Sequence, residues 1–424
     1  GKIDGYSNLA VRICDSFVFD RHNFITFPYD WRLSNRVNAG RLKKLVDENL
    51  KHLRIAEPET GVILIAHSMG GLVSRYYLEV LEGWHDCSAF ITLGTPFRGS
   101  VNAIDYLANG YKNFLMDLTN VMRTFPSVYE LLPRYAVLKA GSAWQRVAET
   151  ETLPAGFTLP HGIDKKMAQD ALAFHLEIDA AVERNTQDPL WRDSRKRIYP
   201  VVGVRQKTLQ SAELVASGQI AVGHGLPGTI DHAFDGGDGT VPRVSATPIE
   251  LSDEHREIYC VEQHASLQNN TYALNDMIER LRQIQGTGLI GIQAWDDGLG
   301  NSSTMRSESD LEDDDEQADI SAQPWIGLDF HDLYTRDEPV QILAQAIANS
   351  NSLAQGIEAV VQRVDAGMRS QPRCYAFEAT SSSEWRLCVD GLIPGRYKAR
   401  VRTKTRDADA PNTVTAIFEI ANVK

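Results

Sequence analysis

Val62-Ile63-Leu64-Ile65-Ala66-His67-Ser68-Met69-Gly70-Gly71 begins as an apolar run and closes on a serine with a small residue two positions to either side, Ala66 and Gly70. Gly61 to Ala66 reads as a buried β-strand, and Gly70 to Glu82 as the helix behind it. Ser68 then occupies the tight turn between strand and helix. Such a turn lifts a serine hydroxyl above the end of a sheet, where it can act as a nucleophile. Ala66 stands where the usual G-x-S-x-G pattern has its first glycine. That position must be small because neighbouring elements crowd the turn, and alanine meets the need.

The segments on either side repeat the alternation. Tyr6 to Phe17 reads as a short helix and Asn23 to Phe27 as a strand. Leu42, Leu45, Val46, Leu50 and Leu53 give helical spacing between Ser34 and Arg54. Cys87 to Leu93 is another buried strand. Strand and helix in alternation predict an α/β class fold with a parallel sheet covered on both faces, and the serine turn within it points to the α/β-hydrolase kind. The register breaks at residue 100. Residues 100–197 read as a helical cap or lid insertion, with Tyr111, Phe114, Leu115, Leu118, Val121, Met122 and Phe125 along one face. Ile198 to Val204 resumes the strands. Residues 205–250 are glycine-rich loops. Glu257 to Val261 adds a last strand and Leu267 to Ile284 a closing helix, so the hydrolase unit is expected to span 1–286.

Beyond it the character changes. Glu308 to Asp319 holds eight acidic residues, and such a block repels itself, so 287–322 is expected to be a linker. Residues 323–424 read as an all-β, sandwich-like domain. Its strand candidates are Val340 to Ala344, Ile357 to Val364, Arg373 to Glu378, Glu384 to Val389, Arg396 to Arg406 and Val414 to Ile420. Arg396, Lys398, Arg400, Arg402, Lys404 and Arg406 alternate, so on a strand they share one face. That stripe suits a membrane surface of anionic lipid, a protein contact, or the acidic block of the same chain. A charged edge strand guarded against aggregation is the plainer reading.

The 424 residues carry 43 basic and 56 acidic side chains, a formal net charge of -13. Nucleic acid as a partner is excluded on that balance, since phosphate binding needs a basic footprint. The five cysteines (Cys14, Cys87, Cys260, Cys374 and Cys388) are sparse and lack CxxC spacing. They argue against structural zinc and lean toward a reduced, cytoplasmic compartment. Cys374 and Cys388 are placed to meet across a hairpin.

A serine hydroxyl needs a base to take its proton and a third group to orient that base. The chain offers them in the order serine, carboxylate, histidine. Asp238 lies in Gly237-Asp238-Gly239-Thr240-Val241-Pro242, and His264 follows the strand Ile258-Tyr259-Cys260-Val261. Both fall just past a strand or in a glycine-rich loop, at the edge where such sheets hold their sites. Asp231 and Asp235 compete with Asp238; His224, His232 and His255 compete with His264. His67, next to the nucleophile, points away from it. Met69, the residue after the serine, supplies one backbone N–H for an oxyanion hole. The second donor is expected upstream of Gly1, because no glycine-rich strand-loop precedes Tyr6. Since one donor is worth roughly 3–4 kcal/mol of transition-state stabilisation, the chain as given is expected to be less active than a longer form. His224, Asp231, His232 and Asp235 have metal-ligand chemistry, but loop residues lining a cleft are the simpler account. The chemistry requires no metal and no organic cofactor.

Four segments together resemble the lecithin:cholesterol acyltransferase family over about residues 1–285. They are Phe27-Pro28-Tyr29-Asp30-Trp31-Arg32, the elbow Ala66 to Gly71, Leu93-Gly94-Thr95-Pro96-Phe97-Arg98-Gly99-Ser100, and Gly237 to Pro242. The resemblance implies a serine hydrolase or O-acyltransferase acting on lipid-like carboxylic esters. It puts Ser68, Asp238 and His264 at the triad positions, with Met69 as an oxyanion donor. Trp31, Thr95 and Phe97 are expected to line the substrate, and Asp30 and Arg32 to form a buried pair. Pro96-Phe97-Arg98 departs from members with Trp and Gly after that proline, so acyl-chain or headgroup preference does not carry over. Two other readings compete: a peptidase or amidase with the same triad, and a silent hydrolase scaffold that binds a protein partner.

Overall fold

Four parallel strands form the frame around the serine turn. They run in the order β1 (Val62–His67), β2 (Cys87–Leu93), Ile198–Gly203 and Ile258–Cys260. The computed structural model describes residues 6–17, 23–113, 116–155, 157–160, 162–195, 197–215, 218–251, 257–289, 326–330, 333–336, 338–346, 356–363, 371–381, 384–403 and 413–421. The acidic block expected as a linker lies outside them.

Side chains alternate across β1, as a strand requires. Leu64 and Ala66 pack on one face with α2 (Asn35–Leu53) and α3 (Gly70–Glu79). Ile63 and Ile65 pack on the other, with α1 (Ser7–Ser16) and the closing helix Thr271–Leu289. A parallel sheet needs this double cover because both its faces are apolar. Full burial of a Leu or Phe in these layers, such as Leu72 or Phe90, stabilises by roughly 1.5–3 kcal/mol.

Buried polar contacts lock α3 in place. Glu79, 2% exposed, pairs with Arg75 one turn back and accepts from Trp191 Nε1 at 2.8 Å and Asn185 Nδ2 at 3.0 Å. Helix Lys165–Asn185 is thereby tied to the helix that begins at the nucleophile turn. Glu130 does the same for α2. Its carboxylate accepts from the Ser34 hydroxyl at 2.5 Å and the Asn35 N–H at 2.7 Å, at the positive end of the helix.

Four expectations change. Asn23 to Phe27 is not a strand; the backbone there belongs to no ladder among the described residues. The insertion 100–197 is not purely helical. Leu138–Ala140 and Ala143–Gln145 join Ser211–Leu214 and Ile220–Gly223 in a four-stranded sheet. Tyr111 to Phe125, read as one helical face, instead contains a small hairpin and the four-residue helix Thr119–Met122. Finally, Cys374 and Cys388 are both free and sit in different sheets.

The C-terminal strands form two sheets. One holds Ile326–Phe330, Val340–Ala346, Glu384–Val389 and Glu378–Ala379, all antiparallel. The other holds Leu333–Thr335, Thr413–Ala421, Gly395–Thr403, Ile357–Arg363 and Arg373–Ala376. Their inward residues, among them Ile342, Trp385, Leu387, Tyr397, Val401 and Phe418, share one apolar core. Gly395–Thr403, read as a charged edge strand, is instead an inner strand paired on both sides with Ile357–Arg363 and Thr413–Ala421; on its outward face Arg396 pairs with Glu419 and Arg402 with Glu358. Lys404 and Arg406 of the basic stripe lie outside the described residues.

Candidate active site

Ser68 follows β1 with a left-handed backbone, φ 53, between strand and helix. Its N–H donates to the Leu93 carbonyl at the end of β2, at 2.9 Å. A side chain in this region of backbone space is held by its surroundings, because the conformation is unfavourable for any L-residue with a Cβ. Gly71, one residue past the glycine that completes the pattern, is glycine for a packing reason. A Cβ on Gly71 would fall 2.0 Å from Thr95 Oγ1.

His264 begins a short helical turn, His264–Asn269, four residues after the strand Ile258–Cys260 ends. Its Nε2 lies 2.8 Å from Ser68 Oγ, and its Nδ1 lies 2.7 Å from Asp238 Oδ2. An ionised carboxylate can only accept, so Nδ1 carries the hydrogen and Nε2 is free to accept from the serine hydroxyl. Asp238 is 1% exposed. Its Oδ1 accepts from the N–H groups of Thr240 at 2.9 Å and Val241 at 2.7 Å, which fixes the carboxylate. The His264 N–H donates to the Asp238 carbonyl at 2.8 Å, tying the two loops by their backbones as well.

Gly94 leaves room for this contact. It has φ +55, and a Cβ there would lie 2.7 Å from Asp238 Oδ2 and 3.0 Å from His264 Nδ1. Met69 follows the serine at the start of α3, where backbone N–H groups carry the positive end of the helix dipole.

The structure thus brings together the three residues expected from chain order. Of the competitors, His255 lies outside the described residues, and those described go elsewhere. His224 bonds the Thr208 carbonyl, Asp231 caps the turn at Ala233, and Asp235 accepts from Gln210. Among the described residues no group of three or more His, Cys, Asp or Glu side chains is placed to hold a metal.

Trp31 is 47% exposed, with its ring edge-on to Phe125 at 5.3 Å. Thr95 is 1% exposed and packs on Gly71, and Phe97 is 6% exposed against Phe90. Asp30 and Arg32, expected as a buried pair, instead form a bidentate pair in solvent, with both bonds at 2.8 Å. The Arg32 guanidinium pulls the Asp30 carboxyl down to about 2.

Two contacts around the site were not evident from the sequence: one made by His67, expected only to point away from Ser68, and one made by Gln206 with Gln263. His67 donates from Nε2 to the His264 carbonyl at 2.9 Å and accepts at Nδ1 from the Tyr6 hydroxyl at 2.8 Å. Burial, with His264 alongside, pushes His67 down to about 3, so its ring stays neutral. Gln263 and Gln206 form the other contact, through a side-chain bond of 2.8 Å.

Residues 1–208 match the family model described as Lecithin:cholesterol acyltransferase. Among curated proteins, the mouse phosphatidylcholine-sterol acyltransferase is 36% identical over 125 residues, 28% of this chain and 28% of that one. The human lysosomal phospholipase A and acyltransferase is 33% identical over 92 residues, 20% and 21% of the two chains. The matched segments therefore span under a third of those relatives. Among solved structures, a Bacillus licheniformis lipase in mature form is 15% identical over 59% of this chain and 74% of its own, with a TM-score of 0.28. The parallel sheet with helices on both faces fits an α/β-hydrolase.

Proposed function

From the premise that residues 1–208 form a lecithin:cholesterol acyltransferase-family domain, we propose that the chain is a serine-dependent acyl hydrolase or O-acyltransferase on lipid-like carboxylic esters. The supporting observation is the chain of contacts from Ser68 Oγ through His264 to Asp238, at 2.8 and 2.7 Å. Asp238 and His264 lie beyond the matched span, so their roles rest on this geometry.

His264 Nε2 takes the hydroxyl proton as Ser68 Oγ attacks the ester carbonyl carbon. The carbonyl oxygen becomes an oxyanion facing the Met69 N–H. The intermediate collapses, the carbon–oxygen bond to the leaving alcohol breaks, and His264 returns the proton to that alcohol. Water or an acceptor alcohol then attacks the acyl-serine while His264 takes its proton; the acyl–Oγ bond breaks and His264 returns that proton to Ser68 Oγ. Water gives a free acid and an alcohol gives a new ester. In this reading Trp31 borders the acyl path with Phe125, and Thr95 and Phe97 shape it from behind. The domain division follows the same scheme: 1–286 for chemistry with 100–197 over the site, and 323–424 as a β-sandwich.

Wild type and Ser68→Ala are incubated with phosphatidylcholine vesicles and a long-chain alcohol, and the products are separated. Free fatty acid or a new ester is expected from wild type alone. Ser68→Ala is expected to lower kcat by on the order of a millionfold. A fluorophosphonate is expected to label Ser68. Wild type that neither labels nor forms a Ser68-dependent product overturns the proposal.

A further inference from the structure

Ile326–Phe330 is the edge strand of its sheet, hydrogen-bonded to Val340–Ala346 on one side only. Its other side presents backbone N–H and C=O groups that ordinarily seek another strand. Here two side-chain amides take that place. Gln263 Nε2 donates to the Leu328 carbonyl at 2.7 Å. Gln206 Oε1 accepts from the Leu328 N–H at 3.0 Å, and Gln206 Nε2 reaches the Ile326 carbonyl at 3.4 Å. A glutamine amide carries the same donor and acceptor as a peptide group, so the pair extends the sheet edge without adding a strand.

The same amides sit on the two loops that hold the triad. Gln263 directly precedes His264. It also packs on the aspartate loop, since a Cβ on Gly239 would fall 2.6 Å from Gln263 Oε1. Gln206 bridges Asp238 as a parallel β-partner, and its N–H donates to the Gly237 carbonyl at 2.9 Å. The two side chains bond each other, Gln263 Nε2 to Gln206 Oε1, at 2.8 Å. Gln206 is 2% exposed. In water such a pair contributes little, whereas buried it is rigid, because breaking it strands polar groups without solvent. Val261, three residues before His264, packs against the apolar core of the C-terminal sheets.

We propose that the C-terminal sheets are a positioning element of the active site, and that Gln263 and Gln206 are the positioning residues that transmit it to His264 and Asp238. Neither amide touches Ser68 or the reacting ester. Both fix the height and tilt of the imidazole between Ser68 and Asp238. The inference rests on the triad reading above and deepens it, by giving the β-domain a part in the chemistry.

The test uses the full chain with Gln263→Ala, Gln206→Ala and the near-isosteric Gln263→Glu. The last keeps the side-chain volume but removes the donor that faces two acceptors. Initial rates on a soluble p-nitrophenyl ester, the rate of Ser68 labelling by a fluorophosphonate, and thermal unfolding are measured on each. Expected are a fall in kcat of tenfold or more, KM within twofold of wild type, and labelling slowed by the same factor in folded protein. Folded variants that label and turn over as wild type does overturn the inference, as does a change confined to KM. If Gln263→Ala fails to fold, Gln263→Glu and Gln206→Ala carry the same comparison. Wild type that does not label overturns the triad reading instead, so the two failures are distinct.

Discussion

Both oxygens of the Asp238 carboxylate are committed, one to His264 and one to two backbone N–H groups, and the site has little slack around them. Gly94 is the place to measure that slack. In Gly94→Ala the new methyl lands between Asp238 Oδ2 and His264 Nδ1, on a backbone that disfavours a Cβ. Displacing the pair by even a fraction of an ångström is expected to lower kcat about a hundredfold. KM is expected to change little, and circular dichroism should report a folded protein. Near-wild-type kcat would mean that the imidazole has more freedom than the 2.7 Å contact implies. At this scale the sequence was informative where chemistry leaves a mark. Serine on a strand–helix turn, aspartate between glycines and histidine after a strand stand in the order a triad requires. Gln206 and Gln263 left no such mark. An amide has no distinctive chemistry, and the two are 57 residues apart, with their other partner about as far again along the chain. The Asp30–Arg32 pair misled for a related reason: adjacency in a motif says nothing of depth.

Elements long enough to complete a period could be read directly. Asn35–Leu53 shows its 3.6-residue repeat plainly, and Val62–His67 is legible as an apolar run of strand length bounded by a glycine and the serine turn. The strands of the insertion could not be read this way, since three or four residues do not distinguish one period from the other. Leu138–Ala140 becomes a strand because Ala143–Gln145 and Ser211–Leu214 pair with it on its two sides. Helix Lys165–Asn185 carries a pH-dependent load. His175 is buried there, donating to the Glu130 carbonyl at 2.9 Å, and burial pushes it down from 6.5 to about 4. The unfolded chain therefore binds a proton below about pH 6.5 that the folded chain refuses until about pH 4. Its contribution to stability is complete above the upper value and is lost as pH falls between the two. The slope is at most roughly 1.4 kcal/mol per pH unit. His175→Gln keeps a donor without the titration, so its melting temperature is expected to fall less than that of wild type from pH 6.5 to 4. Parallel curves for the two proteins would assign acid sensitivity elsewhere.

Taken whole, the molecule carries a net charge of -13, and the cations described on the Gly395–Thr403 strand are partly spent on their own sheet. A lipid surface of the same sign should repel it. Replacing about a third of the phosphatidylcholine in vesicles with phosphatidylglycerol is expected to slow turnover several-fold at about 0.01 M salt, where screening reaches only beyond about 30 Å. Raising the salt to about 0.3 M is expected to restore most of the rate. Faster turnover on the anionic vesicles at low salt would instead assign the basic stripe to the membrane. The α/β class and the change to β-structure after the acidic block could be anticipated from patterning alone. The contact between the two parts could not, because it depends on where an edge strand comes to rest. The left-handed turn at Ser68 has its own consequence for the whole chain. A serine there weakens the fold by roughly 1–2 kcal/mol relative to a relaxed backbone, an appreciable share of a stability of about 5–15 kcal/mol. Selection for robustness alone would favour glycine at residue 68; in the proposed role, its serine trades durability for reactivity.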